Sequence, residues 1–227
     1  MTSMPNESKS AERPAPAASP ASYSQFDLQT VLDNFSLEIL SQPVLTQTPT
    51  PIAPEAWLTE ILRRGMTLTL GSEKAKSEFI VAPILLTVRD LISRPASLHS
   101  GVRFDVDPAA GLRGFCDFIL SAGPQVPVIR LPVLIMVEVK EDSVDGGLGQ
   151  CAAEMVAAAI FNKRRGHPGT PVFGCVTNMD TWQFLRLENN ILRLDPHKLT
   201  LEHLPEILGS FKAIAEEALS QIGAGPG

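Results

Sequence analysis

The chain has 227 residues, of which 44% are hydrophobic and 19% are charged, and its formal net charge is -6. This length and composition suffice for one well-formed core, and the acidic balance excludes binding to nucleic acid by bulk charge, so any such site must be a local patch. No run of about 18 apolar residues occurs and the N-terminus lacks an apolar segment, so the sequence predicts neither a membrane-spanning helix nor a secretory signal.

The first 54 residues are predicted to form a flexible N-terminal extension and linker. Residues 1–24 are rich in Pro, Ala and Ser, with too few large apolar groups to fold alone. A short amphipathic pattern follows Asp27, which is a candidate helix cap, and residues 41–54 form a Thr/Pro stretch that cannot be helical. Residues 55–227 are then the folded domain.

Helical and strand patterns follow one another through residues 55–227. A short helix is predicted to end at Gly65, and a longer helix over residues 72–92 contains Pro83, which should kink or loosen it. Strands are expected at 102–108, 114–120, 128–140 and 170–178, and an Ala-rich helix is expected at 148–163. A hairpin at 181–194 should turn at Asn189–Asn190, and a helix or helix pair at 201–222 should close the fold. This order predicts an α/β fold, a central mixed sheet flanked by helices.

Cysteine and histidine usage argues against a metal site built from these residues. Cys116, Cys151 and Cys175 lie in apolar surroundings without metal-ligand spacing, which favours buried free thiols in a reducing, cytoplasmic compartment. The four histidines are scattered, and none forms a pair at helical i, i+4 spacing.

The stretch "VLIMVEVKED", residues 133–142, places charges at the end of an apolar strand. Side chains alternate between the two faces of a strand, so Glu138 and Lys140 share a face while Val137 and Val139 take the other. Burying such ions costs several kcal/mol each unless they are paired or solvated. One reading is that the strand simply ends there and its last residues reach water.

Asp117 lies inside a second apolar strand, "GFCDFIL". It is either a hydrogen-bonded buried aspartate or a partner that faces Glu138 from the neighbouring strand. Two facing carboxylates repel each other, and Mg²⁺ or Mn²⁺ would remove the repulsion. Asp117, Glu138 and the carbonyl of Val139 would then bind the metal, while Lys140 would orient or deprotonate water or stabilise developing negative charge. This layout predicts hydrolysis of a phosphodiester bond.

The chain resembles the PD-(D/E)xK nuclease superfamily, whose members have the restriction-endonuclease-like fold. "RGFCDFIL" matches the Asp strand, "VEVK" matches the Glu-x-Lys strand, and "GQCAAEM" opens the helix where many members place a Gln, here Gln150. "SEFIVAPIL" resembles the helix that contributes a Glu, here Glu78, and "GCVTNMDTWQFLRL" resembles the strand and hairpin of type I restriction subunit N-terminal domains. The resemblance covers about residues 70–194. The residue before Asp117 is Cys116 rather than the Pro of the family motif, a Pro that many members lack.

The resemblance implies a Mg²⁺-dependent endonuclease that acts on nucleic acid, with DNA favoured over RNA. Glu78 would be a secondary ligand to metal or water, and Gln150 would bind substrate phosphate or hold Lys140 in place. Because many relatives dimerise, a homodimer is compatible with it. From the residues alone, Glu78 could equally be a solvated partner of Lys74 and Gln150 a polar residue without a role, and Glu154 is taken as structural.

Two other functions stay open. A binding or scaffold module that kept the fold without turnover fits the acidic balance, and a protein-interaction domain would need only a structural ion pair. The basic run Lys163–Arg165 is expected to interact with the C-terminal dipole of its helix, with phosphate contact as the alternative, as for Arg113. Trp182 and Phe184 are expected in the core.

Overall fold

The computed structural model describes residues 20–68 and 71–222 of the chain. Its helices are α1 (Leu28–Phe35), α2 (Ala56–Gly65), α3 (Glu73–Lys76), α4 (Ala82–Leu91), α5 (Leu148–Arg164) and α6 (Leu204–Ile222), and a π-helical segment, Ser77–Val81, joins α3 to α4. Its strands are β1 (Glu38–Ser41), β2 (Ala96–Arg103), β3 (Phe115–Ala122), β4 (Val133–Val139), β5 (Val172–Thr177), β6 (Thr181–Glu188), β7 (Ile191–Leu194) and β8 (Leu199–Thr200).

The described strands form one mixed sheet in the order β1-β7-β6-β5-β4-β3-β2, with β8 paired to β6. The pairs β4–β5 and β1–β7 are parallel, and the other pairs are antiparallel. A parallel pair needs a crossover, and α5 supplies it between β4 and β5. The predicted α/β class, with helices flanking a central mixed sheet, is confirmed.

Apolar side chains on the two faces of the sheet form two cores. On one face, Val137 and Val139 of β4 pack with residues of α2, α4 and α6. On the other face, Met136 packs with residues of α1 and α5. Glu138 has the same strand parity as Met136, so its side chain is directed to the α5 face.

Residues 20–54 are part of this packing. Tyr23, Phe26 and Val31 are buried in the core on the α5 side, and β1 forms an edge of the sheet beside β7. Asp27 caps α1 as predicted, since its side chain accepts a 2.7 Å hydrogen bond from the Thr30 amide. The predicted boundary at residue 54 therefore does not mark the start of the packed structure, because residues 20–54 are packed as well. Residues 1–19 of the predicted extension lie outside the described residues.

The helix around Pro83 shows how the chain accommodates a residue without an amide. Proline cannot donate to the carbonyl four residues earlier, and its ring crowds that carbonyl. The π-helical segment Ser77–Val81 lies immediately before Pro83, as expected for a loosened helix. Gly65 of α2 packs on this turn, because a Cβ at Gly65 would lie 2.8 Å from the carbonyl oxygen of Phe79.

Two local predictions have different outcomes. The hairpin turn is confirmed at Asn189 and Asn190, which both have positive φ, 50° and 63°, as a tight turn of this kind requires. The strand expected at 102–108 instead runs over Ala96–Arg103. This edge strand contains His99 among small polar residues, so its sequence lacks the apolar run by which the buried strands were recognised.

Candidate active site

Asp117 and Glu138 lie on adjacent antiparallel strands at the point where their ladder ends. Phe118 of β3 pairs with Val137 of β4, and the strands are antiparallel, so Asp117 lies opposite Glu138 one position beyond this pair. Both side chains are on the α5 face of the sheet. The amide of Val139 donates a 2.8 Å hydrogen bond to Oδ2 of Asp117. This hydrogen bond to the backbone of β4 holds the Asp117 carboxylate next to Glu138.

Lys140 connects this strand end to α5 through polar contacts. Its Nζ lies 2.7 Å from Oε1 of Glu138 and donates a 3.0 Å hydrogen bond to Oε1 of Gln150. Gln150 in turn donates from Nε2 to Oε1 of Glu154, at 3.2 Å. The Lys140 backbone amide bonds to the carbonyl of Thr177 on β5, at 2.8 Å, so the base of the side chain is anchored in the sheet.

The cluster is buried at one end and reaches solvent at the other. Glu154 is fully buried and Glu138 is 2% exposed, whereas the Lys140 side chain is 21% exposed. Asp117 and Gln150 are half-buried. Reagents in solution can therefore approach the cluster through Asp117 and Lys140.

Burial and mutual repulsion shift the pKa values of the carboxyl groups upward. Burial and then the charge of Asp117 raise the pKa of Glu138 to about 8, although Lys140 acts in the opposite direction. Burial likewise raises the pKa of Asp117 and that of Glu154, and Glu138 contributes further to the shift of Glu154. Burial lowers the pKa of Lys140, but Glu138 and other nearby acidic groups outweigh it and the net shift is upward. One ammonium does not balance this concentration of carboxyl groups.

The raised pKa of Glu138 predicts a pH-dependent stability in the absence of divalent metal. The folded state binds this proton more tightly than the unfolded state, so the stabilisation is present below the ordinary pKa of 4.5 and is lost as the pH rises to about 8. We therefore expect the melting temperature to fall less between pH 6 and pH 8.5 in Glu138→Gln than in the native protein. Thermal unfolding at the two pH values, with exposed Glu141→Gln as the control, measures this difference. Equal slopes for the native protein and Glu138→Gln would contradict the prediction.

Glu78, the helical carboxylate expected to support the site, lies in the π-helical segment and pairs with Lys74 rather than with a residue of the cluster. Its side chain is 51% exposed and pairs with Lys74, one helical turn away. Burial is the main cause of the raised pKa of Asp117 and of Glu138, and of the two helical carboxylates it is Glu73 whose charge adds a smaller contribution to both. Ser72 caps this helix through the amide of Ala75, so a search for the helix start would have singled out Glu73 in the sequence.

The oxygen atoms at the end of β4 are suited to a hard divalent cation. Oε2 of Glu138 is buried and has no hydrogen-bond partner among the described residues. The Val139 carbonyl and the Lys140 amide belong to one trans peptide group, so they point in opposite directions. Because the Lys140 amide bonds to β5, the Val139 carbonyl is directed toward β3 and Asp117. Two carboxylates and a carbonyl are the ligand types that Mg²⁺ prefers. In residues 20–68 and 71–222, no group of three or more His, Cys, Asp or Glu side chains is arranged to bind a metal, so this smaller set is the candidate.

The basic residues considered for phosphate contact already have partners within the protein. Arg113 donates to the carbonyl of Ala21 at 2.7 Å, and Arg164 donates to the carbonyl of Val106 at 2.6 Å. Arg165 lies over the ring of Phe161, 4.7 Å from its centroid. These contacts tie the arginine side chains to neighbouring groups of the protein, although Arg113 and all three residues of the run Lys163–Arg165 are exposed to solvent.

The other expectations about side chains concern the core. Trp182 and Phe184 are buried, as predicted. The three cysteines are buried free thiols, also as predicted. None of these residues takes part in the contacts that join Lys140 to Gln150 and Glu154.

Two of the cavities in the described part of the chain lie away from the carboxylate cluster. One, of about 510 Å³, is lined by residues of the 43–51 segment together with Phe184. The other, of about 410 Å³, lies between α1, α5 and the β6–β7 turn. Neither cavity is lined by two acidic side chains together with a lysine, so the candidate site is chosen on its chemistry.

Comparisons with known proteins add no assignment to this geometry. Within the described part of the chain, every helix is too short or too polar to cross a bilayer. Comparison of the chain with models of protein families, with curated proteins and with solved structures found no match.

Proposed function

We propose that this protein is a metal-dependent nuclease that hydrolyses phosphodiester bonds of nucleic acid, with DNA as the favoured polymer. The observation that carries the proposal is the placement of Asp117 and Glu138 side by side at a strand end, with the Lys140 ammonium 2.7 Å from Glu138 and partly open to solvent. The order of the Asp strand, the Glu-x-Lys strand and the Gln-bearing helix supports a restriction-endonuclease-like fold. A cytoplasmic location and a homodimer stay predictions.

Each residue of the cluster has a role that follows from its contacts. Asp117, Glu138 and the Val139 carbonyl would bind Mg²⁺ or Mn²⁺, which would lower the pKa of water and offset negative charge on phosphate. Lys140 orients the attacking water or stabilises the charge that develops on the phosphate oxygens. Gln150 accepts a hydrogen bond from Lys140 and so restricts where its ammonium lies.

A supporting carboxylate is expected on the helical segment before β2. The sequence resemblance implies Glu78 for this role. Of the two, Glu73 is the one whose charge contributes to the raised pKa of Asp117 and of Glu138, after burial and the other charges of the cluster. Glu73 is therefore the better-supported candidate for that position.

Replacing Asp117 with asparagine tests the site with almost no change in shape. Asn keeps an oxygen that can accept from the Val139 amide but loses the charge, so we expect weaker Mg²⁺ binding and a fall of about 100-fold in the cleavage rate. Calorimetry with Mg²⁺ and nicking of supercoiled plasmid in Mg²⁺, Mn²⁺ or chelator measure the two effects. Asp142→Asn, an exposed change of equal charge nearby, should retain both properties. Equal metal binding by native protein and Asp117→Asn would refute the site.

The 2.7 Å contact between Lys140 and Glu138 also favours a second candidate, a catalytically inactive binding module. In that case the ammonium serves as the permanent partner of Glu138. Native protein that binds nucleic acid but leaves it intact with every metal would support this module and exclude the nuclease.

A further inference from the structure

Glu154 is a fully buried carboxyl group in α5 that the proposed reaction does not use. It lies one helical turn after Gln150, on the same face of the helix. Its Oε2 atom has no hydrogen-bond partner among the described residues. Burying a carboxyl group in this way is costly, so its presence requires a compensating contact.

The contact that Glu154 makes determines the orientation of the Gln150 amide. The Lys140 ammonium can only donate hydrogen bonds, so the Gln150 atom that meets it at 3.0 Å must be the oxygen. The amide nitrogen of Gln150 then points the other way and needs an acceptor, which Oε1 of Glu154 provides at 3.2 Å. A reversed amide would place two donors against each other at Lys140.

We propose that Glu154 is a positioning residue, which fixes the Gln150 amide so that its oxygen anchors the Lys140 ammonium beside Glu138. The anchor has two points, Oε1 of Glu138 at 2.7 Å and Oε1 of Gln150 at 3.0 Å. A lysine side chain has many rotamers, and with one anchor removed its ammonium gains freedom to move into solvent. The effect on cleavage rests on the proposed nuclease function, whereas the effect on Lys140 itself does not.

Two substitutions at Glu154 separate positioning from charge. Glu154→Gln keeps an acceptor oxygen for the Gln150 amide and removes the carboxyl group. Glu154→Leu keeps most of the volume and removes the acceptor. Positioning therefore requires that Gln behave as the native residue does and that Leu fail, whereas a need for a carboxylate would make both variants fail.

The first measurement is the rate at which acetic anhydride acylates Lys140 in metal-free protein, followed by peptide mass spectrometry with Lys212 as the internal reference. We expect this rate to rise severalfold in Glu154→Leu and to stay native in Glu154→Gln. The second is plasmid cleavage in Mg²⁺, where Glu154→Leu should lower kcat by about 10- to 100-fold with little change in KM. A native acylation rate in Glu154→Leu, or equal impairment of both variants, would overturn the proposal.

Gln150→Ala is the second route to the same test if Glu154→Leu does not fold. Gln150 is only half-buried, so its truncation leaves the core in place and removes the same anchor. Its Lys140 acylation rate should also rise severalfold, and an unchanged rate would overturn the proposal. If native protein cleaves no nucleic acid, the nuclease function fails, and the acylation rates alone decide the role of Glu154.

Discussion

Replacing Lys140 with methionine is expected to lower the rate of nucleic-acid cleavage by about 100- to 10,000-fold while Mg²⁺ binding is kept. Methionine approximates the length of the lysine side chain but has no ammonium to orient water or to stabilise charge on phosphate. Loss of the ammonium removes a positive charge that competes with Mg²⁺, but it also raises the pKa of Glu138 further. The two effects on Mg²⁺ affinity oppose each other, so affinity should change little when it is measured above pH 8.

Single-turnover nicking of supercoiled plasmid at saturating Mg²⁺ measures the rate, and calorimetry measures the metal affinity. Lys212→Met is the matched control, because Lys212 lies on α6, on the opposite face of the sheet from the cluster. The control should cleave at the native rate. Cleavage by Lys140→Met at the rate of the control would remove the ammonium from the mechanism.

Replacing Gly149 with alanine is expected to lower the free energy of unfolding by about 1–3 kcal/mol. A Cβ at this position in α5 would lie 2.4 Å from the carbonyl oxygen of Phe26 and 2.4 Å from the carbonyl carbon of Asp27. Both atoms belong to the backbone before α1, so no flexible side chain can yield. The N-terminal segment must move away from α5, and the gain in helix propensity from Gly to Ala offsets only part of this cost.

Urea unfolding of Gly149→Ala and Gly146→Ala measures the difference. Gly146 lies three residues earlier, and a Cβ there would meet nothing within 4 Å, so its substitution should leave stability nearly unchanged. Hydrogen exchange should also show faster opening of α1 in Gly149→Ala than in the control. Equal stability of the two variants would show that the N-terminal segment does not depend on its contact with α5.

The elements that the sequence predicted well are those whose signals are local. The Ala-rich helix, expected at 148–163, is observed at Leu148–Arg164, and the turn at Asn189–Asn190 needs only two residues that tolerate positive φ. The strands that carry Asp117 and Glu138 were recognisable because a charged residue interrupts an apolar run. Their alignment on neighbouring strands brings the two carboxyl groups to one face, as the alternation of side chains along a strand predicts.

The features that were missed depend on contacts between distant parts of the chain. Tyr23 packs in the core on the α5 side, where its hydroxyl donates to the carbonyl of Phe104, and the Pro-, Ala- and Ser-rich sequence around it does not reveal these partners. Glu73 and Glu78 differ by little more than one helical turn, and only the packing of the helix distinguishes them. In the sequence, Glu154 cannot be distinguished from a solvent-exposed charged residue of a helix. Its burial becomes evident only when α5 is packed against the sheet.

The pairing of β1 with β7 has a consequence for the nascent polypeptide. Glu38 pairs with Ile191, so this edge strand is translated long before its partner strand and must wait until residues 191–194 have left the ribosome. Until α5 and β7 have emerged, the apolar side of α1 and the open edge of β1 have no native cover, and they are available to chaperones or to wrong strand partners. We therefore expect docking of the amino-terminal segment to be a late step in biosynthesis.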